Sequence, residues 1–368
     1  MLCFEFPPLG GGGSKVVYGL SKEIVKLGHQ IDLVTMGYNN LPKFEQVNGV
    51  NVHRVACIRK EMAICTTFEM FTYVTSAIPV VIKLARQHKY NINHTHFIFP
   101  DGLISFVIKK IIKLPYIITA HGSDVPGFNT DRFKLDHKIL LPIWKKVVNN
   151  SNQIICLSDY LRDLVINKAP GTNPLILSNA IDLNEFKADK EKKNSILIVS
   201  RMFERKGIQY FLKALQGLNH NYEVNIVGDG PYLDSLKSLS NELSINVKFW
   251  GWLDNTSLEL KELYETSSIF VFPSESENFP IVLLEAMAAS MAIITTKNTG
   301  CAEVVGNTAL LVEPRDPRGI REGLNRLMSN TDFCKELGQA ARRRLENNFS
   351  WTAVAKQYTD LYGKYDNG

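Results

Sequence analysis

Residues 272–289 read Phe-Pro-Ser-Glu-Ser-Glu-Asn-Phe-Pro-Ile-Val-Leu-Leu-Glu-Ala-Met-Ala-Ala, a sequence that passes from apolar to polar and back to apolar residues. The run 268–272 is short, apolar and rich in β-branched and aromatic residues, which predicts the end of a buried strand. A polar loop, 273–279, follows it. Pro280 then suits the first position of a helix. The apolar stripe of that helix is expected at Ile281, Leu284, Met287 and Ala288.

The loop and the helix each carry one glutamate, Glu277 and Glu285, separated by seven residues. A helix N-terminus offers free backbone N–H groups and a positive dipole end, so the site suits an anionic ligand. Carboxylates placed there grip hydroxyl groups rather than phosphates, because a phosphate would repel them. These groups together suit one ligand with a phosphate part and a hydroxyl-rich part. The alternative is a capped helix with Glu277 near its N-terminus and no ligand.

The same stretch resembles the signature of the family-4 retaining glycosyltransferases, which have the GT-B fold. The resemblance implies that Glu277 bonds the donor sugar and that Glu285 bonds the ribose of the nucleotide. It also places Asn278, Phe279 and Pro280 in the binding site, where their backbone would help to orient the donor sugar.

Chain length predicts more than one core. At 368 residues, two domains of about 180 residues each are expected. The resemblance implies an α/β, GT-B architecture of two Rossmann-like, doubly wound domains that face a deep cleft. In this interpretation residues 1–180 form an N-terminal acceptor domain and residues 181–349 a C-terminal nucleotide-sugar donor domain. Residues 350–368 form a helix that crosses back to pack on the first domain.

The six cysteines are scattered without a Cys-x-x-Cys pair, which predicts reduced thiols in a cytoplasmic protein and no metal site.

No signal peptide is expected, because Met1 leads straight into Leu2-Cys3-Phe4-Glu5. No membrane span is expected either, since lysines interrupt the apolar stretches 74–85 and 102–118. The first strand is short before Pro7, as in a chain whose true start lies a few residues upstream.

The charge is uneven along the chain. Residues 1–180 carry 20 Lys and Arg against 12 Asp and Glu, and residues 181–368 carry 22 against 25. A basic half suggests an anionic partner, such as a phospholipid surface or a phosphate-bearing acceptor; an ordinary difference between two domains is the alternative. The run 104–114 interleaves lysines with apolar residues, as an interfacial helix does, although a sheet-covering helix has the same pattern. A second loose basic group follows: Lys134, Lys138, Lys145 and Lys146.

In the first half, strand-like runs alternate with helical ones, which predicts a parallel sheet with helices on both faces. The predicted strands are 2–6, 31–35, 50–55, 92–96, 116–120 and 153–156. Four glycines at 10–13 precede a helix and allow close approach to a ligand at its N-terminus; a flexible turn is the alternative. The resemblance implies that Gly12 and Gly13 line the site near the donor phosphates and the acceptor.

Histidines end two of these predicted strands. His94 and His96 lie at one C-terminal edge, where a histidine is more often a structural hydrogen-bonder, so neither is predicted to be catalytic. His121 ends the strand 116–120, beside a glycine that lets the chain turn sharply. Similar enzymes have a His-Gly pair here whose histidine points at the donor sugar, so His121 is predicted to be catalytic.

The second half begins with a buried strand that ends at Ser200-Arg201, and Lys206 follows before the next helix. The planar fork of Arg201 and the point charge of Lys206 can together neutralise a leaving phosphate; surface salt bridging is the alternative. The resemblance implies that these two cations hold the donor diphosphate. It places them with His121 and Glu277 in the catalytic set, and Ser200 among the nucleotide-binding residues.

Two further segments of the second half match the family. The turn at Gly228 allows close approach of a nucleotide, and the segment with Gly251 and Trp252 resembles the one whose backbone bonds the base. Three residues depart from the family pattern, each standing where glycine is usual: Ala180, Ser290 and Cys301. These departures affect the loop geometry expected near the donor.

The resemblance covers nearly the whole chain and implies a retaining, metal-independent hexosyltransferase without a cofactor. Its expected partners are a nucleotide-sugar donor and a glycan, glycolipid or small-molecule acceptor, with no nucleic acid. The usual setting of such enzymes is cell-envelope polysaccharide or glycolipid assembly. The expected location is the cytoplasm, with docking to the inner face of the cell membrane as a hypothesis for the basic half. The alternatives are a GT-B phosphorylase and a non-catalytic nucleotide-binding protein.

Overall fold

The computed structural model describes residues 1–62, 64–128, 134–254 and 257–365. The chain divides into two compact units. Unit 1 consists of Met1–Ala180 together with Trp351–Gly368, and unit 2 consists of Ile181–Ser350.

The sheet of unit 1 has two groups of strands. They are β1 (Asp32–Met36), β2 (Phe44–Val47), β3 (Val50–Val55), β4 (Asn93–His96), β5 (Tyr116–Thr119), β6 (Gln153–Cys156) and β7 (Leu175–Ile176). The groups run in the orders β1-β3-β2 and β4-β5-β6-β7, and every pair is parallel except β2 with β3. Leu2 bridges Val34 of β1 and Thr95 of β4, which joins the two groups into one layer.

Three strands of unit 1 differ from the prediction: 2–6 is not a full strand, and β2 and β7 were not predicted. The predicted strand 2–6 is reduced to the bridge at Leu2, because the chain leaves the sheet soon afterwards to enter the loop before the first helix. Strand β2 was not predicted. It pairs with β3 across Asn48-Gly49, whose φ angles of 48° and 84° suit a tight hairpin turn. This Asn-Gly pair is the signal that could have revealed the hairpin.

Five helices of unit 1 cover this sheet: α1 (Gly12–Lys26), α2 (Thr67–Gln87), α3 (Asp101–Ile112), α4 (Lys134–Asn150) and α5 (Asp159–Lys168). The start of α2 is fixed by a capping box between Thr66 and Glu69. Lys109 on α3 donates to the backbone oxygen of Asn150 at 2.8 Å and covers the ring of Tyr116. This lysine therefore ties α3 to the rest of unit 1, as expected of a sheet-covering helix.

Helix α2 is the one helix in the described part of the chain that is long and apolar enough to cross a membrane. Sequence analysis excluded a span at 74–85, which is part of this helix, because Lys83 interrupts that stretch. Its side chains Tyr73, Ala77 and Val81 are buried in the core of unit 1. Length and composition alone are weak support for a span, because core helices of globular domains pass the same test.

The sheet of unit 2 has six parallel strands. They are β8 (Lys193–Val199), β9 (Glu223–Val227), β10 (Lys248–Gly251), β11 (Ser267–Phe272), β12 (Ala292–Thr296) and β13 (Leu310–Val312), in the spatial order β10-β9-β8-β11-β12-β13. Buried branched side chains such as Ile196, Ile198, Ile269 and Ile294 form its core. A parallel sheet covered on both faces needs such continuous apolar strands.

Seven helices belong to unit 2: α6 (Ile208–Leu215), α7 (Leu233–Glu242), α8 (Leu258–Thr266), α9 (Ile281–Ala288), α10 (Gly300–Val305), α11 (Pro317–Ser329) and α12 (Thr331–Asn348). Helix α9 begins one residue later than predicted, because Pro280 has an extended conformation and precedes the first turn. The buried face of α9 is wider than the predicted apolar stripe, because Leu283, Glu285 and Ala286 are buried as well.

The last helix, α13 (Trp351–Gly363), belongs to unit 1. Trp351 packs directly on the backbone of α1 at Gly19, where an added Cβ would lie 2.3 Å from the indole ring. Tyr362 of α13 lies 2.6 Å from His94 Nδ1 through its hydroxyl. These contacts hold α13 against both α1 and the central strand β4.

Candidate active site

The sheet of unit 2 changes its winding direction between β8 and β11. The chain runs from β8 outward to β10 and then returns to place β11 on the other side of β8. Ligands of open parallel sheets bind at such a reversal, outside the carboxyl ends of the strands. The loops that follow β8 and β11 carry Arg201, Lys206 and Glu277, so three of the four predicted catalytic residues lie beside this point.

Lys206 and Glu277 are in direct contact. Lys206 lies in a short 3₁₀ turn (Glu204–Lys206), and its Nζ forms an ion pair with Glu277 Oε1. Ser274 Oγ donates a hydrogen bond to the same oxygen at 2.6 Å. The two charged side chains are each only 13% exposed. Removing either partner would leave a largely desolvated charge, so the pair behaves as one unit.

Glycines allow close backbone contacts around the Lys206–Glu277 pair. Gly207 has a φ of 72°, and an added Cβ there would lie 2.1 Å from the carbonyl oxygen of Pro273. At Gly300 an added Cβ would lie 1.6 Å from the carbonyl oxygen of Asn278. The Gly300 N–H also donates to the Glu277 carbonyl at 3.0 Å. The loop that carries Glu277 is therefore fixed by close backbone contact with the start of α10.

The loops after β8 and β9 pack on each other in the same way. Ser200 N–H donates to the Val227 carbonyl at 3.0 Å. Gly228 has a φ of 131°, and an added Cβ there would lie 1.8 Å from the Ser200 carbonyl oxygen. Gly228 therefore serves the packing of two loops, a role that the sequence interpretation did not include. Arg201, the residue after Ser200, is exposed.

Glu285 lies on α9 and is 6% exposed. Its Oε2 accepts a hydrogen bond of 2.7 Å from the hydroxyl of Tyr264 on α8. Burial, followed by the nearby charge of Glu285, raises the pKa of Tyr264 well above its ordinary value, so this phenol stays a donor. Tyr264 therefore fixes one oxygen of the glutamate. Sequence analysis missed it because nothing in the local pattern of α8 distinguishes it from a core tyrosine.

The remaining predicted residues of unit 2 are spread along the same edge. Asn278 is 5% exposed, and Phe279 packs on Phe349 with ring centroids 5.5 Å apart. Gly251 ends β10, and its carbonyl accepts from the Gly228 N–H at 2.7 Å. Trp252, the next residue, is 60% exposed. An exposed indole at the carboxyl edge of a sheet offers a flat apolar surface to a ligand.

In unit 1, His121 lies at the carboxyl end of β5 and is partly exposed. Its backbone N–H donates to Asp124 Oδ1 at 3.0 Å, and its ring packs on Phe97 with centroids 4.4 Å apart. Desolvation lowers the pKa of His121 to about 3. The imidazole is therefore neutral at physiological pH and acts through hydrogen bonds rather than through charge.

His96 contacts His121 directly, with 3.1 Å between His96 Nδ1 and His121 Nε2. His94 stacks on His96 with ring centroids 4.2 Å apart and is itself bonded at both nitrogens, to Tyr362 and to Thr119. Burial is the main cause that lowers the pKa of both His94 and His96 well below the ordinary value.

Gly12 and Gly13, the two glycines predicted to line the site, lie inside helix α1, which begins at Gly12. An added Cβ at Gly13 would lie 2.9 Å from the Phe97 ring and 3.7 Å from His121 Nδ1. At Gly12 an added Cβ would meet nothing within 4 Å. Glycine at position 13 thus lets the first turn of α1 pack closely on the Phe97 ring, and this turn lies near His121.

An apolar cavity lies beside this histidine, inside unit 1. Its volume is about 50 Å³. Its walls include Met70 of α2, Phe97 and Phe99 of the loop after β4, and Ile143 and Trp144 of α4. Sequence analysis did not find it, because its walls come from segments far apart in the chain.

Within the described residues, no group of three or more His, Cys, Asp or Glu side chains is arranged to hold a metal ion. All six cysteines are free thiols, and Cys301 is buried at the start of α10. Burial raises the pKa of the Cys301 thiol to about 11, so this side chain is an uncharged packing residue.

Both halves of the chain match family models. Residues 10–185 match the model of Glycosyltransferase Family 4, and residues 181–344 match that of Glycosyl transferases group 1. An uncharacterized glycosyltransferase of Methanocaldococcus jannaschii is 29% identical, over 98% of this chain and 97% of its own length.

Solved structures of glycosyltransferases have the same fold. Sucrose-phosphate synthase from Thermosynechococcus elongatus superposes with a TM-score of 0.81 at 20% identity, over 96% of this chain and 93% of the other. HepE from Anabaena, solved in complex with UDP and glucose, superposes with a TM-score of 0.76 at 15% identity, over 98% of each chain. At these identities the likeness concerns the fold.

Proposed function

The chain belongs to the glycosyl transferases group 1 and has the GT-B fold, and we propose that it is a retaining, metal-independent enzyme using a nucleotide diphosphate-sugar. The observation that carries this proposal is the cluster of Lys206, Glu277 and Ser274 at the winding reversal of the unit 2 sheet. It joins a cation suited to a diphosphate with a carboxylate suited to sugar hydroxyls. The complex of HepE with UDP and glucose supports a donor of this class.

In the proposed reaction, the bond between the anomeric carbon and the diphosphate oxygen breaks. The acceptor hydroxyl oxygen bonds to the same face of that carbon, and the leaving diphosphate takes the acceptor's proton. Lys206 and Arg201 stabilise the charge that develops on the leaving group, which makes a metal ion unnecessary. Glu277 orients the sugar and Glu285 binds the ribose, and His121 is proposed separately to orient a substrate oxygen at unit 1.

The donor site is tested by thermal shift with UDP, GDP, ADP and CDP, each with and without magnesium. A ligand that binds only the folded protein raises the unfolding temperature by mass action. We expect a shift with one nucleotide that is independent of magnesium and lost in Arg201→Ala. Arg205→Ala, in the adjacent 3₁₀ turn, is the matched control and should keep the shift.

The absence of a shift with every nucleotide would contradict the proposed donor site. A shift with inorganic phosphate alone would favour a phosphorylase. A nucleotide shift without transfer from any sugar nucleotide would favour a non-catalytic binding protein. The anomeric configuration of the product, read by NMR, tests retention separately, since an inverted product would contradict the same-face reaction.

On the acceptor side, we propose that unit 1 takes a lipid-linked acceptor at the inner face of the cell membrane, in cell-envelope polysaccharide or glycolipid assembly. The apolar walls of the cavity beside His121 suit the end of a hydrocarbon chain. Phe71 contacts Phe99 of the cavity wall, with ring centroids 5.3 Å apart, and is itself 40% exposed. Phe68 on α2 and Ile139 on α4 are each 66% exposed. Phe71 therefore extends the cavity wall to the exposed surface of α2.

The positive charge of exposed lysines on α4 also favours membrane binding by this part of unit 1. Lys138, Lys145 and Lys146 on α4 are exposed on the helix that carries Ile139 and Ile143. Lysines next to exposed apolar side chains are attracted to anionic lipid. The run 104–114 fits this role less well, because Lys109 is engaged by Asn150 and Asn152 within unit 1. The membrane hypothesis therefore moves from α3 to the surface formed by α2 and α4.

Liposome flotation tests this surface. We expect the protein to float with anionic vesicles more than with neutral ones, and Phe68→Ser/Phe71→Ser to lose most of that binding. Ile111→Ser removes a side chain on α3 that is 51% exposed and serves as the matched control. Equal recovery from anionic and neutral vesicles, or an equal loss in the control, would contradict the proposed surface.

A further inference from the structure

We infer that His96 is a positioning residue that holds His121 in the tautomer with its proton on Nδ1, so that His121 donates a hydrogen bond to an oxygen of the substrate. This inference deepens the proposed glycosyl transfer and rests on it for the identity of that substrate. It assigns a role to a residue that sequence analysis regarded as structural.

The geometry leaves two arrangements for the pair. His96 Nδ1 and His121 Nε2 lie 3.1 Å apart, which is hydrogen-bond distance. Two neutral imidazoles at this distance share one proton, so one ring donates and the other accepts. Either His96 donates through Nδ1–H, or His121 donates through Nε2–H.

The buried end of His96 decides between them. His96 is 0% exposed, and its Nε2 has no hydrogen-bond partner among the described residues. If His121 were the donor, His96 would carry its proton on Nε2, as a buried N–H without an acceptor. Buried N–H groups without a partner are rare in folded proteins, whereas an unused acceptor is better tolerated. His96 therefore donates through Nδ1–H, and its Nε2 is the unused acceptor.

The tautomer of His121 follows from this bond. Because His121 Nε2 accepts the proton of His96, the neutral ring of His121 must carry its own proton on Nδ1. This nitrogen is on the side of α1, 3.7 Å from the position of an added Cβ at Gly13. His121 Nδ1–H and the first N–H groups of α1 are then all hydrogen-bond donors on one side of unit 1. A sugar hydroxyl, carbonyl or phosphate oxygen is the chemical group that they fit.

This arrangement also excludes one role for His121. A general base needs a free lone pair, but one nitrogen of His121 is occupied by His96 and the other carries a proton. His121 therefore orients its substrate oxygen and does not remove a proton from the acceptor. This agrees with a reaction in which the leaving diphosphate takes that proton.

The ring orientation of His96 has its own support. Its ring stacks on that of His94, which is fixed through Thr119 of β5 and Tyr362 of α13. Its backbone N–H donates to the Leu2 carbonyl at 2.9 Å. The strand and the neighbouring ring thus leave His96 little freedom to turn away from His121.

The test combines the tautomer with kinetics. Nitrogen-15 NMR of the full chain with labelled histidine identifies the protonated ring nitrogen of His121, which we expect to be Nδ1. In His96→Leu the bond is lost, and we expect the His121 proton to move to Nε2 or to exchange between both nitrogens. The kcat for transfer should fall on the order of 100-fold, with little change in the donor KM, as when one oriented donor is removed.

Two variants act as controls. His96→Asn keeps a side-chain amide that can donate to His121, and it should restore most of the kcat and the Nδ1–H tautomer. His29→Asn changes an exposed histidine outside the pair, and it should leave both the His121 tautomer and kcat unchanged.

The inference is overturned if His121 of the wild type carries its proton on Nε2, or if His96→Leu changes neither the tautomer nor kcat. The NMR measurement needs no turnover, so it decides the His96 assignment even if no sugar nucleotide is a donor. Failure of the proposed function would appear separately, as the absence of transfer with the Nδ1–H tautomer in place.

Discussion

Unit 2 gathers charged side chains at the carboxyl edge of its sheet, whereas unit 1 gathers neutral histidines and an apolar cavity at the edge of its own. In unit 2, Lys206 and Glu277 form an ion pair that glycine-mediated backbone contacts hold in place. In unit 1, His121 is held through the side chain of another histidine. One doubly wound architecture therefore supports two chemistries: one suits a charged diphosphate-sugar, and the other suits neutral hydroxyl groups and hydrocarbon.

The largest effect is expected at the charged site. Glu277→Ala removes a group proposed to orient the sugar and leaves Lys206 without its ion-pair partner, so kcat should fall on the order of 100-fold or more. Steady-state transfer kinetics measure this change. Glu275→Ala is the matched control, because Glu275 lies in the same loop and pairs with Arg315, which is 68% exposed. Near wild-type turnover in Glu277→Ala would remove Glu277 from the active site.

An intermediate effect tests how the charged site is held. Gly300→Ala places a Cβ against the Asn278 carbonyl, so the loop carrying Glu277 must shift. We expect a loss of about 1–3 kcal/mol in the free energy of unfolding, as for overpacked sites, together with reduced kcat. Gly363→Ala is the control, since an added Cβ there meets nothing within 4 Å. Urea unfolding measures this loss. If both variants unfold at the same urea midpoint, the close backbone contact at Gly300 is not required for stability.

The smallest effect concerns the neutral histidines and pH. His94, His96 and His121 have lowered pKa values, about 3 for His121, against about 6.5 for an unfolded chain. Below pH 6.5 the unfolded chain binds protons that these folded side chains do not, so stability is lost as pH falls. Each histidine should contribute roughly 1 kcal/mol of loss between pH 7.5 and 5.5.

Denaturant unfolding at these two pH values measures that loss. In His96→Leu, the loss of unfolding free energy between pH 7.5 and 5.5 should be smaller by the contribution of one histidine, roughly 1 kcal/mol. His29→Asn, which changes an exposed histidine, should leave the dependence as it is. An unchanged dependence in His96→Leu would mean that this histidine does not become charged on unfolding in this range.

Much of the fold could be predicted, because its signals are local. Apolar runs alternating with helical periodicity predicted the parallel sheets, and the GT-B fold is confirmed by solved structures with TM-scores of 0.76 and 0.81. The errors fall where long-range contacts override local pattern. The polar stretch 189–194 has the composition of a solvated linker, but Lys192 donates to the carbonyls of Glu265 and Ala289.

The candidate site could be predicted only in part. Strand ends and glycine turns indicated Lys206 and Glu277, because the carboxyl ends of parallel strands meet at one edge. The roles assigned to these residues remain predictions. Tyr264, His96 and the apolar cavity were missed, since a buried tyrosine or histidine has the same sequence signal whether it packs or positions a neighbour.

The sequence by itself determined the two α/β domains, the family signature around Glu277 and Glu285, and the residue types available at each strand end. Only the tertiary structure decided which of them touch. Lys206 meets Glu277 across 71 residues of chain, and His96 meets His121 across 25. The physical reason is that periodicity and turn chemistry act between neighbours in the chain, whereas a hydrogen bond depends on atomic distances that strand order and packing set.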